Sequence, residues 1–462
     1  MKLSKIAISL IAVVGVVQIG GAWYTGTQAE EYYENLIAEV NKEFKKAIPH
    51  DIKLKIQNQK FERHFFNSDF SYDLVLTTPE GETYKFKGQD KLNHGPLPLD
   101  RLVKGKLLPV MANIEGSLLA VENTQNIFKD NIALTSQMNV NYDRSYEGNL
   151  TINPAKTDNF ETEKTTVVFD FDKNNIGDLN LKNQSITFNY PNSVKGTLKE
   201  IEYNATTVSD QYPNLELGDY VFNVKEFQLT SPEQEVFVIK DIKSIGKNRV
   251  DSEEYLGNAD IEMDLVIQKN GISQDLGKMA LNIDLKGNAE AWDIATEHFD
   301  DESSDNPLND EYIIEAISKG LTFNINELSL KNGQGKSGLK LVLNADKFDP
   351  ELVQSQQDIL TILKQSALDV NLNIPAFQLM FKQKALLDKK TEQEANDFAK
   401  VAIEKLISDA KQSEIAIVDD KNINVKLAID NGKVMLNERE LSDQEIQQFL
   451  FILAFGLMSI PH

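Results

Sequence analysis

The sequence predicts a β-rich α+β protein in which a single N-terminal transmembrane helix is followed by a long antiparallel, meander-like sheet with several amphipathic cover helices. Three observations carry that prediction. No charged residue lies between Lys5 and Glu30. Apolar and polar residues then alternate with period two through most of the chain, the signature of half-buried strands. A few segments instead place apolar residues three and four apart, the signature of helices that bury one stripe.

The N-terminal run from Ile6 to Trp23 is long enough to cross a bilayer as a helix, which takes about 20 apolar residues. Lys2 and Lys5 are the only charges before it, so the positive-inside tendency holds the N-terminus in the cytoplasm and sends the rest outward. Trp23 and Tyr24 then fall at the far interface. A cleaved signal peptide is the competing reading, because Gly20-Gly21-Ala22 offers small residues to a signal peptidase. The run exceeds the usual apolar core of a signal peptide, roughly 7–15 residues, which favours an uncleaved anchor. The expected organisation is a cytoplasmic tail at 1–5, an anchor at 6–25, a juxtamembrane helix at 26–48 and a periplasmic body at 49–462. That body is divisible into two subdomains near 290–310.

Between Ala29 and Ile48 the residues Tyr33, Leu36, Ile37, Val40 and Phe44 make one helical stripe. After Pro49 the period changes to two, with Ile52, Leu54 and Ile56 opening the first strand. In 259–267, Ala259, Ile261, Met263, Leu265 and Ile267 share one face, and Asp260, Glu262 and Asp264 the other. Met279, Leu281, Ile283 and Leu285 repeat this, as do Leu339, Leu341 and Leu343. One-sided strands belong to antiparallel sheets, since parallel strands covered on both faces read as continuous apolar runs. Near the end, Ile423, Val425, Leu427 and Ile429 lead through Asp430-Asn431-Gly432 into Val434, Met435 and Leu436; Asn-Gly tolerates the positive φ of a tight hairpin turn. Helices are expected at 350–366, at 392–411 on the stripe Ala395, Phe398, Ala399, Ala402, Leu406 and Ile407, and at 442–457, where Ser442 and Glu445 have capping-box spacing.

Composition limits the function classes. With 48 basic and 71 acidic side chains the net charge is −23, which argues against binding nucleic acid, a task of clustered Lys and Arg. Hydrophobic residues at 41% place the chain among folded proteins. Cysteine is absent, so disulfides, thiol nucleophiles and thiolate metal sites are excluded, and core burial alone must stabilise a body exported to an oxidising compartment.

No stretch spells out a reaction. None of His50, His64, His94, His298 and His462 stands in an H-E-x-x-H pattern, and phosphate-loop and G-x-S-x-G motifs are absent. Thr296-Glu297-His298 reads as surface polarity before metal binding, and the acidic 300–305 stretch lacks the spacing and central Gly of a calcium loop. No cofactor is indicated. The segment His94-Gly95-Pro96-Leu97-Pro98 stands apart, because Gly permits a tight backbone course and proline fixes φ. It holds His94 in place either as a binding imidazole or as a ring that locks the turn. Arg63, Phe66 and Ser68 are candidate neighbours, and His94, Gly95, Pro96, Arg63 and Phe66 form the candidate binding set.

Several short segments resemble the YdgA family, membrane-anchored envelope proteins of Gram-negative bacteria without a settled biochemical function. They are Gly20-Gly-Ala-Trp-Tyr-Thr-Gly26, then Gln57-Asn58 with Arg63, Phe66 and Ser68, then His94-Gly-Pro-Leu-Pro-Leu99 with Leu107-Leu-Pro-Val-Met-Ala112, and Ala291-Trp292. The resemblance implies an inner-membrane protein with a periplasmic body, and it brings no catalytic residues with it. The function expected is a membrane-anchored envelope protein, embedded in the bilayer through residues 6–25, that binds a lipid or acyl chain or docks an envelope partner without catalysis. An enzyme acting on an envelope polymer and a self-associating scaffold, including a homo-oligomer, are the alternatives.

Overall fold

Alternation of side chains is what organises the computed structural model, which describes residues 53–446 apart from 79–80, 96–100, 102, 104, 106–107, 190–193, 210, 234, 270, 299–310, 353–355, 431 and 443. Every strand pairing among the described residues is antiparallel. The fold is thus β-rich α+β, as expected. Contacts divide it into two units: the chain up to Asp210 together with Gly218–Glu233, and Gln211–Leu217 together with Gln234 onward.

In the first unit β1 (Lys53–Arg63), β2 (Asn67–Thr77), β3 (Thr83–His94), β4 (Ala112–Val121), β5 (Ile132–Val140) and β6 (Tyr146–Ile152) pair in sequence order. A two-strand excursion follows, β7 (Ala155–Lys156) and β8 (Phe160–Thr162), after which β9 (Thr165–Phe171) returns to β6. β10 (Gly177–Asn189), β11 (Lys195–Thr207) and β12 (Gly218–Thr230) complete the ladder. Strand β2 shows why the register is firm. Ser68, Phe70, Tyr72, Leu74 and Leu76 are all buried while their neighbours are not, so a one-residue slip would turn the whole set to solvent. Phe70, Tyr72, Leu74 and Leu76 meet Leu54, Ile56, Phe86, Leu118, Leu134 and Leu150 in one core. Gly88 lies opposite Tyr72, and a β-carbon there would stand 2.1 Å from the ring's Cζ, so only glycine admits that ring.

The second unit is built on long hairpins. β13 (Val236–Asp251), β14 (Glu254–Lys269) and β15 (Ile272–Asn288) have 16, 16 and 17 residues. They continue into β16 (Leu321–Asn332), β17 (Gly335–Ala345) and β18 (Ser366–Asn373). The next neighbour is β20 (Asn422–Asp430), flanked by β19 (Ile417–Val418) and by β21 (Lys433–Leu436), which pairs with β22 (Arg439–Glu440). Register shifts at Lys240/Lys243, Leu265/Val266, Asn282/Ile283 and Ile325/Leu328 place a bulge in each successive pair, the device that increases local twist.

Among the described residues this unit also holds the helices α1 (Ala289–His298), α2 (Glu311–Ser318), α3 (Gln356–Ile362), α4 (Ile374–Leu387) and α5 (Glu392–Gln412). Thr391 and Glu394 form a reciprocal capping box that starts α5, and Asn373 caps α4 with its side chain accepting from the Ala376 N–H. The two helices enclose Ile374 and Ile403 against Ile423 of β20.

Most expected elements are present, with differences. The hairpin through 430–432 forms as read, the stretch 350–366 holds α3, and α5 matches 392–411 within a residue. On the α5 stripe Ala395 and Ala399 are buried, but Phe398 faces out beneath the Lys390 ammonium, 4.3 Å from its ring centroid. Helices α1, α2 and α4 were not anticipated. In α4 the sequence Ile374-Pro-Ala-Phe-Gln-Leu-Met-Phe has no clean stripe, since apolar residues occur all round it. Ser442 and Glu445 bond reciprocally as their spacing suggests. The anchor at 6–25, the helix at 26–48 and all but the first residues of 442–457 lie outside the described residues, as do Ile52 and most of the span near 290–310. Among the described residues no helix is long and apolar enough to cross a membrane.

Candidate functional site

Three of the five candidate residues meet at one corner of the first unit. β3 ends at His94, whose backbone N–H donates to the Phe66 carbonyl at 2.9 Å. Its ring Nε2 lies 2.9 Å from the Oγ of Ser68, which is 1% exposed. Gly95 donates to the Met111 carbonyl, and a β-carbon on it would stand 2.0 Å from the Val110 carbonyl oxygen, so the backbone passes where no side chain fits. Arg63 is the register partner of Ser68 but points to solvent, and Pro96 lies outside the described residues. The imidazole is therefore tied into the turn through one of its nitrogens, while Phe65 and Phe66 project beside it with their rings edge to face, 4.6 Å between centroids.

A residue that sequence reasoning missed sits nearby. Arg101 is 7% exposed and donates to Asn139 Oδ1 at 2.7 Å and to the Leu108 carbonyl at 3.3 Å. Asn139 belongs to a cross-strand row in register with Asn93, Asn113 and Glu147, linked by side-chain bonds from Asn93 to Asn113, from Asn113 to Asn139 and from Asn139 to Glu147. In the sequence this row is three asparagines at separate strand ends. Only the pairing register aligns them.

The second unit carries a continuous apolar sheet face. Ile261, Leu281, Leu328, Leu339, Val370 and Val425 are successive register partners across β14, β15, β16, β17, β18 and β20, and so lie in one row on one face. Ala259, Ile283, Ile325, Leu341, Leu368 and Leu427 form the next row. At about 4.8 Å per strand each row runs roughly 24 Å. None of these side chains is fully buried. Helical cover reaches the strand ends: Trp292 of α1 packs on Gly287, and Asn373 at the head of α4 packs on Gly335. The buried clusters of this unit centre on Leu215, Leu217 and Ala289, on Ile374, Ile403 and Ile423, and on Leu360, Val434 and Leu436, and none takes in the row residues of β14–β17. The sequence showed the face but not its depth: strands read as having one buried side have instead a half-buried one.

The opposite face is a polar lattice. Lys278 pairs with Glu262 at 2.5 Å, Lys336 with Glu327 at 2.7 Å, and Asn258 donates to Asp284 at 2.8 Å. At its strand-end margin a bowl of about 1110 Å³ is lined by residues that include Lys286, Lys319, Lys347 and Lys364 with Asp251, Glu253, Glu254 and Asp346. Three of those lysines are already paired, Lys286 with Glu254, Lys319 with Glu315 and Lys364 with Asp346. Four cations against four anions leave the bowl without net charge. Among the described residues no group of three or more His, Asp and Glu is placed to hold a metal ion.

Residues 1–444 match a family described as a bacterial protein of unknown function, DUF945. The chain belongs to that family. It is similar to protein YdgA of Escherichia coli, 24% identical over all of this chain and 98% of that protein, so the resemblance carried by the His94 and Gly20 segments extends through the whole length. The uncharacterized protein YihF of the same organism is 23% identical over 96% of this chain and 97% of its own. An uncharacterized protein of Haemophilus influenzae is 27% identical over 49% of this chain and 66% of its own. No solved structure matches.

Proposed function

We propose that this member of the DUF945 family is an envelope protein, anchored in the inner membrane through residues 6–25 with its body in the periplasm, that binds a lipid or acyl chain on the aliphatic rows of the second unit and performs no covalent chemistry. The observation that carries this reading is the half-buried state of Ile261, Leu281, Ile283, Leu328, Leu339 and Leu341. A contiguous apolar surface left partly in water is costly, at about 25 cal/mol per Å², and an apolar ligand laid on it recovers that free energy. The row length of roughly 24 Å suits an extended acyl chain. The polar bowl favours a second reading, a hydrophilic envelope polymer as ligand, because its paired lysines and carboxylates offer hydrogen bonds at a concave surface.

Lipid analysis of the purified full-length protein tests the proposal. Native mass spectrometry is expected to show retained lipid, and Leu281→Arg with Leu341→Arg is expected to lose it while circular dichroism keeps its strand signal. Recovery of no lipid from the wild-type protein, or equal recovery from the double variant, overturns the reading.

A further inference from the structure

The aliphatic rows of the second unit have two unlike ends. Toward the C-terminus they run into a closed cluster, in which Val425, Leu427 and Ile429 of β20 pack against Leu360, Val434, Leu436, Leu441 and Ile446, each no more than 8% exposed. Toward β13 the same face turns small and polar. Ser244 is the register partner of Ile261, Gly246 of Ala259 and Asn248 of Gly257, so these three residues carry the face one strand beyond β14. Gly246, Gly257 and Ala259 leave a recess there, because none of them projects a bulky side chain. Three hydrogen-bonding groups surround it. Tyr255 lays its hydroxyl over Gly257, 2.9 Å from where a β-carbon would sit. Asn248 stands across the strand pair from that glycine, and its carboxamide donates one long bond, 3.4 Å to the Glu216 carbonyl. Trp292 lies on Gly287, the register partner of Tyr255, and its indole N–H is buried without an acceptor among the described residues. A buried donor left unpaired is costly, so this end of the rows lacks an oxygen that a ligand can bring.

We infer that an acyl lipid lies on these rows in one fixed direction, its methyl end against the β20–β21 cluster and its head, a carboxylate or ester that accepts hydrogen bonds, over Gly257. This rests on lipid binding by the rows and adds the polarity of the bound molecule. Walls at both strand ends make the chain follow the rows. On one side Leu372 and Ile423, which share the row face, pack with Ile374 and Ile403 of α4 and α5. On the other, Val250 and Tyr255 pack with Ala289 and Trp292 of α1. The methyl end then meets side chains from which water is already excluded, while the head meets donors that need an acceptor. A reversed lipid would press its polar head into the closed apolar cluster and leave the indole N–H unpaired, and both cost free energy. On this face β13 carries Ser244, Gly246, Asn248 and Val250, none of them charged, so the head is held by hydrogen bonds instead of an ion pair.

Photolabelling reads the direction. Full-length protein in amphipol is loaded with one of two palmitic acid probes, carrying a diazirine either beside the carboxyl or at the methyl end, and the labelled peptides are identified by mass spectrometry. The carboxyl-end probe is expected on 244–259 and the methyl-end probe on 425–441. Labels on the rows with the two ends exchanged, or each probe spread over both ends, overturn the fixed direction and leave lipid binding in place. Labels missing from the second unit altogether overturn lipid binding, and the inference falls with it. A second measurement removes only the head contacts. Trp292→Phe with Asn248→Ala is expected to weaken palmitate binding roughly tenfold, about 1.4 kcal/mol, while hexadecane, which has the chain and no head, competes as well as before. Equal weakening of both ligands, or no weakening of palmitate, overturns the head site.

Discussion

Leu74, Leu76 and Phe86 of the first unit expose 1%, 0% and 1% of their surface, whereas Ile261, Leu281 and Leu341 of the second, in strands of the same alternation, are only half-buried. The difference lies in what stands opposite. In the first unit one apolar face meets itself and its connections, so that residues of β1–β7 and Phe128 close a common core. In the second, hairpins of 16 and 17 residues present more aliphatic surface than α1–α5 reach, and the middle rows stay partly wet. Period-two alternation therefore reports which way a side chain points, and a second layer decides how deep it lies.

The largest expected effect sets those two regions directly against each other. Leu76→Ala should destabilise by about 3–5 kcal/mol, the transfer loss plus a cavity in packed surroundings. Leu281→Ala should cost only about 1 kcal/mol, since part of that side chain is already in water and solvent can fill the gap. Urea denaturation of the two variants measures both, and equal losses would break the comparison.

A smaller effect concerns proton binding. Burial, helped by the negative charge of Asp172, pushes the Tyr146 phenol from its ordinary value near 10 up to about 12. Between those two values the unfolded chain gives up its proton and the folded chain keeps it, so this contribution to stability is whole below pH 10 and is lost as pH rises toward 12. A tyrosinate absorbance titration of Tyr146→Phe against wild type should remove one late-titrating group, and thermal melts should show a shallower alkaline decline in the variant.

The smallest effect belongs to an exposed group of the second unit. The Ser442 N–H, then the Arg439 guanidinium at 2.7 Å and the Ser442 hydroxyl, hold the Glu445 carboxyl at about 2 instead of 4.5. Its contribution is present above pH 4.5 and is lost as pH falls toward 2. Ser442→Ala should raise that titration midpoint, read by NMR of the Glu445 side chain, while global stability hardly moves because the group is fully solvated. A large loss of stability would mean that this hairpin end is part of a closed core like that of the first unit.

How far the sequence reaches depends on whether a feature is local. Strand faces, the 430–432 turn and the cap at Ser442 follow from neighbours in the chain and were readable. Ser68 and His94 stand in two separate segments of the sequence, and only the register of β2 with β3 makes them touch. Arg101 was not readable, since a lone arginine between prolines and lysines gives no sign that it will be buried on Asn139. Helix α4 escaped notice for a related reason: it is apolar all round, and that pattern says only that something must cover it.

By itself, then, the sequence determined the β-rich class, the side of each strand that avoids water, the exclusion of thiol chemistry and the family. These are properties of composition and of short-range spacing, set by the two-residue repeat of a strand and by the side chains present. Only the tertiary structure decided that strands β1–β7 of the first unit close over their apolar face while β14–β17 of the second leave aliphatic rows half-buried, and that an arginine is buried on a ladder of asparagines. Each of these depends on which distant strands become neighbours and in what register, and that is settled by packing summed over the whole sheet.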